Sequence, residues 1–266
     1  MSNNRWLLLE GTEHLLTDVY RMSENPDPSR LYDGTELAAY TDESLLLFSV
    51  SANPSLLRAM QDDPETWPGL LITAGCKRDD LLTHLRYILL VRFETERKGV
   101  LRYSIPRTAS YFFPACAAET HLTWLGPIQS LSWYGGTWQD SANGRAAWQT
   151  VENTSAAAWR PTTAIGTLFL DSGQEQALGR QQAESFLYQW WARQRITPFD
   201  EARGYLDEGM AAGFFSADAL TAYLNLRSAY AHLPPPAELC PGSDTERLHE
   251  LEQHMILRNS NKERSV

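Results

Sequence analysis

In the first half of this chain, short apolar runs are each followed by a stretch with helical spacing. That alternation restricts the fold more than any other feature, because a period of two and a period of 3.6 cannot be satisfied by one element. Trp6–Glu10 reads as a strand, and Gly11-Thr12 as a turn into a helix capped by Thr12 with Leu15, Leu16, Val19 and Tyr20 on one face. Leu45–Val50 is a second strand. Asn53-Pro54 then supplies a cap and a first-turn proline for a helix burying Leu56, Leu57 and Met60. Leu70–Thr73 is a third strand, and Asp79–His84 a helix that exposes its charges and buries Leu81, Leu82 and Leu85. Tyr87–Glu94 and Val100–Ser104, joined by a charged connection ending in Gly99, read as a hairpin.

The pattern changes after residue 128. Ser130–Tyr134 and Trp148–Glu152 read as short strands around a loop, in a segment that holds Trp133, Trp138, Trp148 and Trp159 among glycines and small residues. From Asp171 onward the spacing is helical. Ser172-x-x-Glu175 reads as a capping box, and its helix carries Phe186, Leu187, Trp190 and Trp191 on a core-facing stripe. Thr197-Pro198 opens a helix with Phe199, Ala202, Leu206 and Met210 on one stripe, stopped by Gly213. Ser216 caps another, with Leu220, Tyr223 and Leu224, ending at His232. Pro234–Pro236 reads as a stiff linker that few core contacts cross, so a chain cut there should stay folded. Ser243-x-x-Glu246 caps a last helix with a thin stripe of Leu248, Leu251 and Met255, before a polar tail. The expected class is α+β in two lobes: an N-terminal α/β lobe with a mixed sheet over 1–128, and a helical lobe over 171–236. An aromatic-rich connection spans 129–170, and the C-terminal helix and tail span 237–266.

Charge and composition exclude several partners. The chain carries −10 with neutral histidines, so it lacks the basic footprint that nucleic acid or an anionic membrane requires. No apolar run approaches the ~20 residues of a membrane span, and the first ten residues lack the pattern of a secretory signal. Three scattered cysteines without C-x-x-C spacing fit reduced thiols, and a cytoplasmic location is expected.

Catalytic patterns are weak. Dinucleotide and phosphate-loop fingerprints are missing, and Asp171-Ser172-Gly173 reads as a helix cap rather than a nucleophile. His249 and His254 resemble a zinc motif, but five residues on a helix turn two imidazoles about 140° apart, so they cannot share one ion. Asp79, Asp80 and His84 offer an acid–histidine pair with no nucleophile beside it, and their structural reading is preferred. Trp133, Tyr134 and Trp138 flank glycines in an expected loop, where they serve either the seam between lobes or a partner site.

Leu81-Leu-Thr-His84-Leu85-Arg86-Tyr-Ile-Leu-Leu-Val91, followed by Gly99-Val-Leu-Arg102-Tyr103-Ser-Ile-Pro106-Arg107, resembles the hallmark of the type VI secretion adaptor-chaperone family. Upstream Leu31-Tyr-Asp-Gly-Thr-Glu-Leu37 and downstream Leu125-Gly126-Pro127-Ile128 resemble it too, in the family's order. The resemblance covers Trp6–Ile128. Ser104-Ile105 departs from it, since the family has an acidic residue just before the proline. Read physically, the motif is architectural: His84 and Arg86 are expected as cations at a helix end, Arg102 and Tyr103 as hydrogen-bonding partners of that end, and Pro106 as a strand stop. The resemblance implies an adaptor that binds one toxic effector and loads it onto the spike protein of the secretion needle, with no catalysis and no cofactor or metal. Two other classes compete: an immunity protein whose charge suits a basic toxin, and a small hydrolase using Asp80 and His84.

Overall fold

The computed structural model describes residues 4–12, 14–161, 167–236 and 239–263. The fold is α+β, and the chain divides into two compact units, Met1–Gln181 and Gln182–Val266.

The first unit opens with β1 (Asn4–Leu9) and α1 (Leu15–Met22), then β2 (Ser29–Arg30), β3 (Leu46–Ser49), α2 (Pro54–Asp62) and β4 (Gly69–Ala74). Next come α3 (Arg78–Tyr87), the hairpin β5 (Leu90–Arg92) and β6 (Lys98–Val100), then α4 (Pro106–Ala115) and α5 (His121–Leu125). β7 (Ile128–Gly135), α6 (Trp138–Ala142), β8 (Ala147–Glu152) and β9 (Leu168–Phe169) complete the strands, and α7 (Ser172–Trp191) follows. Six strands form one sheet in the order β2-β3-β1-β4-β7-β8, antiparallel at every pairing. Mixed pairing is confined to a small second sheet, β6-β5-β9, where β5 and β9 are parallel. The segment expected as a connection therefore supplies two strands of the main sheet, and the division between units falls inside α7 rather than before Asp171.

β1 shows why Trp6-Leu7-Leu8-Leu9 is continuously apolar. Trp6 and Leu8 join a core with Leu70, Ile72, Leu131 and helices α3 to α5. Leu7 and Leu9 face the other way, onto Leu15 and Val19 of α1 and Leu56, Leu57 and Met60 of α2. A strand covered on both faces loses the polar half of its alternation. Tyr20, expected on the apolar face of α1, instead points to solvent. Asn53 precedes α2 but does not cap it; its amide donates to Pro26 O and Ser49 O at 3.1 and 2.9 Å, tying down the loop before β2.

The capping box of α7 is shifted by one residue. Asp171 Oδ1 accepts from Gln174 N–H at 2.9 Å, and Gln174 Oε1 accepts from Asp171 N–H at 3.0 Å. Glu175, expected in that role, accepts from Glu94 N–H instead.

In the second unit α8 (Phe199–Ala211) and α9 (Ala217–Ala229) pack together, with Gly213 at φ 85° ending the first. Tyr205 and Gly209 are buried on α8, whereas Met210 is half-buried. A Cβ on Gly209 would stand 2.9 Å from the Tyr223 ring, so the glycine permits the close approach of the two helices. α10 (Asp244–Glu263) does not hang free after the prolines. Leu251 and Met255 are buried, and the Arg247 guanidinium lies 4.4 Å from the Phe214 ring centroid while donating to Ala212 O. The expected box holds here: Glu246 Oε2 accepts from Ser243 N–H at 2.8 Å, and Ser243 Oγ accepts from Glu246 N–H at 3.4 Å.

Candidate partner-binding site

The four family-like motifs meet in space, and they meet around the end of α3. His84 is buried, with Nε2 3.2 Å from Trp124 O and its ring edge-on to Trp159 at 5.9 Å. Burial pushes its pKa down to about 4, so the ring is neutral and Nε2–H donates to the carbonyl. His84 is therefore not the expected cation at the helix end. Arg86 also leaves that end: Nε donates to Leu31 O at 2.9 Å and Nη2 to Arg30 O at 3.0 Å, pinning the Leu31–Leu37 segment. Leu85 is buried, and its carbonyl, one of the last four of α3, accepts from Tyr103 OH at 2.8 Å. Arg102 turns to Glu10 instead, at 3.3 Å. Glu10 also accepts from Ser104 Oγ at 3.3 Å, so one carboxylate just past β1 holds both Arg102 and Ser104. Pro106 is not a strand stop; it is the first residue of α4. Gly126 and Pro127 form the buried turn between α5 and β7, and Asn153 Nδ2 donates to Gly126 O at 3.0 Å. Lys98 closes the ring of contacts with two bonds to the Glu36 carboxylate, at 2.5 and 2.6 Å.

Residues 5–121 match the model of the domain of unknown function DUF4123. The matched span holds His84, Leu85, Arg86, Arg102, Tyr103 and Pro106, and stops before Gly126 and Pro127. No curated protein and no solved structure matches the chain.

The aromatic trio does not form one surface. β7 alternates, so Trp133 points inward beside Leu131, 1% exposed, with Nε1–H donating to Ser110 Oγ at 2.8 Å. It is a core residue, which corrects the expected loop position. Trp138 begins α6, half-buried under the Arg107 guanidinium at 4.3 Å. Tyr134 faces the opposite side of the sheet from Trp133 and meets the Trp148 ring at 6.0 Å. Trp148, 40% exposed, is the aromatic that sequence reasoning passed over. On β8 Trp148, Thr150 and Glu152 are exposed on one face, and Ser132 on β7 bonds Thr150 across the pair at 2.8 Å. Trp-Gln-Thr-Val-Glu does not alternate in polarity, so the sequence carries no signal for that face.

Among the described residues, titratable groups elsewhere do not converge on one point. Asp80 lies near Cys76, whose thiol is pushed up to about 11 chiefly by burial, and His84 faces away into the core. His249 lies on the exposed side of α10, 4.0 Å from Glu252. Among the described residues no cluster of three His, Cys, Asp or Glu side chains is placed to hold a metal. An open cavity of about 480 Å³ in the second unit is lined by Glu208, Tyr223, Arg247 and Leu251. Its charges are engaged from within, since Arg227 donates to Glu208 at 2.8 Å and Arg247 to Ala212 O. No helix among the described residues is long and apolar enough to cross a membrane.

Proposed function

We propose that this protein is a cytoplasmic adaptor-chaperone of a type VI secretion system, which holds one toxic effector and passes it to the spike protein of the needle. The observation that carries this reading is the DUF4123 match over residues 5–121, in a chain whose four motifs resemble that adaptor family in order. The motif side chains are spent on internal bonds: Arg86 on the carbonyls of Arg30 and Leu31, Tyr103 on a helix end, His84 on the Trp124 carbonyl. A scaffold with its motif chemistry turned inward suits an adaptor whose outer surfaces serve its client. Work of this kind needs binding and release rather than catalysis, and release follows when the effector gains tighter contacts with the spike.

The test is co-expression of the chain with each protein encoded beside its gene. A soluble complex with an effector, and loss of that effector's delivery when the gene is deleted, supports the reading. Unchanged effector abundance and delivery in the deletion overturns it. Protection of cells that express the mature toxin, without any effect on delivery, would mark an immunity protein instead.

A further inference from the structure

The main sheet ends in a strand that is built differently from every other edge. β2 at the far side is two residues long and follows Pro28; in the small sheet β6 has three residues and carries Lys98, and β9 has two. Such short or cationic edges resist pairing with another chain. β8 has six residues, keeps an unbroken register with β7, and contains neither proline nor lysine. Among the described residues no strand pairs with its outer side.

The register fixes which backbone groups face outward. Asn153 N–H donates to Gln129 O at 2.9 Å, so Gln129 and Asn153 are a hydrogen-bonded pair. Such pairs alternate along an antiparallel ladder, so Val151, Gln149 and Ala147 bond to β7, while the N–H and C=O groups of Trp148, Thr150 and Glu152 point away from it. The side chains of the same three residues lie on the sheet face opposite Trp133. Helices α1 and α2 cover that face over β1 and β3; over β7 and β8 it carries the half-buried Tyr134 and the exposed Trp148, Thr150 and Glu152.

We infer that the outer edge of β8 accepts an extended, cationic segment of another protein, which adds to the sheet as a further antiparallel strand. Charge selects the occupant. A second copy would bring a like net charge of −10, which opposes its approach. A segment alternating lysine or arginine with apolar residues places its cations beside Glu152 and over the Tyr134–Trp148 rings, with main-chain bonds supplying affinity. The inference stands on the edge and its charge. If the adaptor reading also holds, the segment belongs to the effector or the spike.

The probe is an acetylated, amidated nine-residue peptide alternating lysine with valine, with a glutamate–valine peptide as its control. The full chain should bind the lysine peptide at least tenfold more tightly than the control. Amide exchange at Trp148, Thr150 and Glu152 should slow at least tenfold on binding. Thr150→Pro removes an outward N–H without touching the ladder to β7, since proline is tolerated where an edge N–H faces solvent. It should abolish binding, whereas Thr150→Val should bind within twofold of wild type. Should Thr150→Pro fail to fold, the amide exchange of the unaltered chain decides alone. Absence of binding, binding without slowed exchange at those three amides, or equal binding by a folded Thr150→Pro chain overturns the inference. So does concentration-dependent dimerisation through β8, which would give the edge to a second copy. Failure of the neighbouring proteins to bind, with the peptide result intact, would overturn the adaptor reading alone.

Discussion

The ring of His84 fills the space that a side chain on Gly126 would need: a Cβ built there would stand 2.4 Å from the ring. Gly126 also has φ 53° and ψ −118°, a conformation that other residues adopt only under strain. Gly126→Ala should therefore destabilise the protein by at least ~2 kcal/mol, from backbone strain and overpacking together. Gly34 separates the two effects, because it has φ 71° with nothing within 4 Å of its Cβ position. Gly34→Ala should cost about 1 kcal/mol, and urea denaturation of both variants measures the difference.

His84 makes stability depend on pH. Its pKa in the folded chain is about 4, below the ordinary 6.5, so the unfolded chain takes up a proton that the folded chain refuses. The contribution is fully present above pH 6.5 and is lost as pH falls toward 4, amounting to about 3 kcal/mol over that window. His84→Gln should be less stable at neutral pH and should lack this part of the pH slope. Melting curves between pH 7.5 and 4.5 compare them; parallel slopes in the two proteins would show that other groups carry the acid sensitivity.

Trp133 and Trp148 should respond in opposite ways to the same substitution. Trp133→Ala removes a buried ring and its bond to Ser110, and should cost about 3–5 kcal/mol of stability. Trp148→Ala should change stability by no more than about 0.5 kcal/mol and weaken strand capture at β8. Circular dichroism melts and peptide titration read the two effects separately.

Removal of α10 should unsettle the second unit. A chain ending at Pro236 loses the buried Leu251 and Met255, and uncovers Phe214 by removing Arg247. Loss of two fully buried side chains is worth about 3–6 kcal/mol. The truncated chain should melt earlier or lose cooperativity in that unit. An unchanged melt would restore the view of α10 as an appendage.

Much of this fold could be read before the structure, and the failures have identifiable physics. β1, β3 and β4 follow from short apolar runs bounded by turn residues, α8 from its spacing, and α9 from spacing and the Ser216 cap. The second hairpin strand, expected over Val100–Ser104, is Lys98–Val100, and Thr197 bonds Ser228 rather than capping α8. The cap of α7 was misplaced because Asp171-x-x-Gln174 and Ser172-x-x-Glu175 satisfy the same pattern; Glu94, distant in sequence, draws Glu175 away. Trp133 was misjudged because flanking glycines suggested a loop, whereas its neighbours Leu131 and Ser132 already alternated in and out. The linker was misjudged because proline stiffness says nothing about whether the helix beyond returns to the core. Of the motif side chains, Tyr103 was legible as a partner of the α3 end. The burial of His84 was not, since a histidine near a helix terminus reads as a cation until Trp124 and Gly126 are brought against it.

Trp6 on β1 pairs with Ser49 on one side and Ile72 on the other, so β1 leaves the ribosome well before either of its neighbours. Until residue 49 has emerged both edges of Trp6-Leu7-Leu8-Leu9 are unpaired, and the edge that takes β4 stays open until residue 74. Newborn chains are then most exposed to one another on crowded polysomes. Slowing translation between codons 10 and 70 should lower the soluble yield, while the same delay placed after codon 135, when β7 has closed over β4, should leave it unchanged.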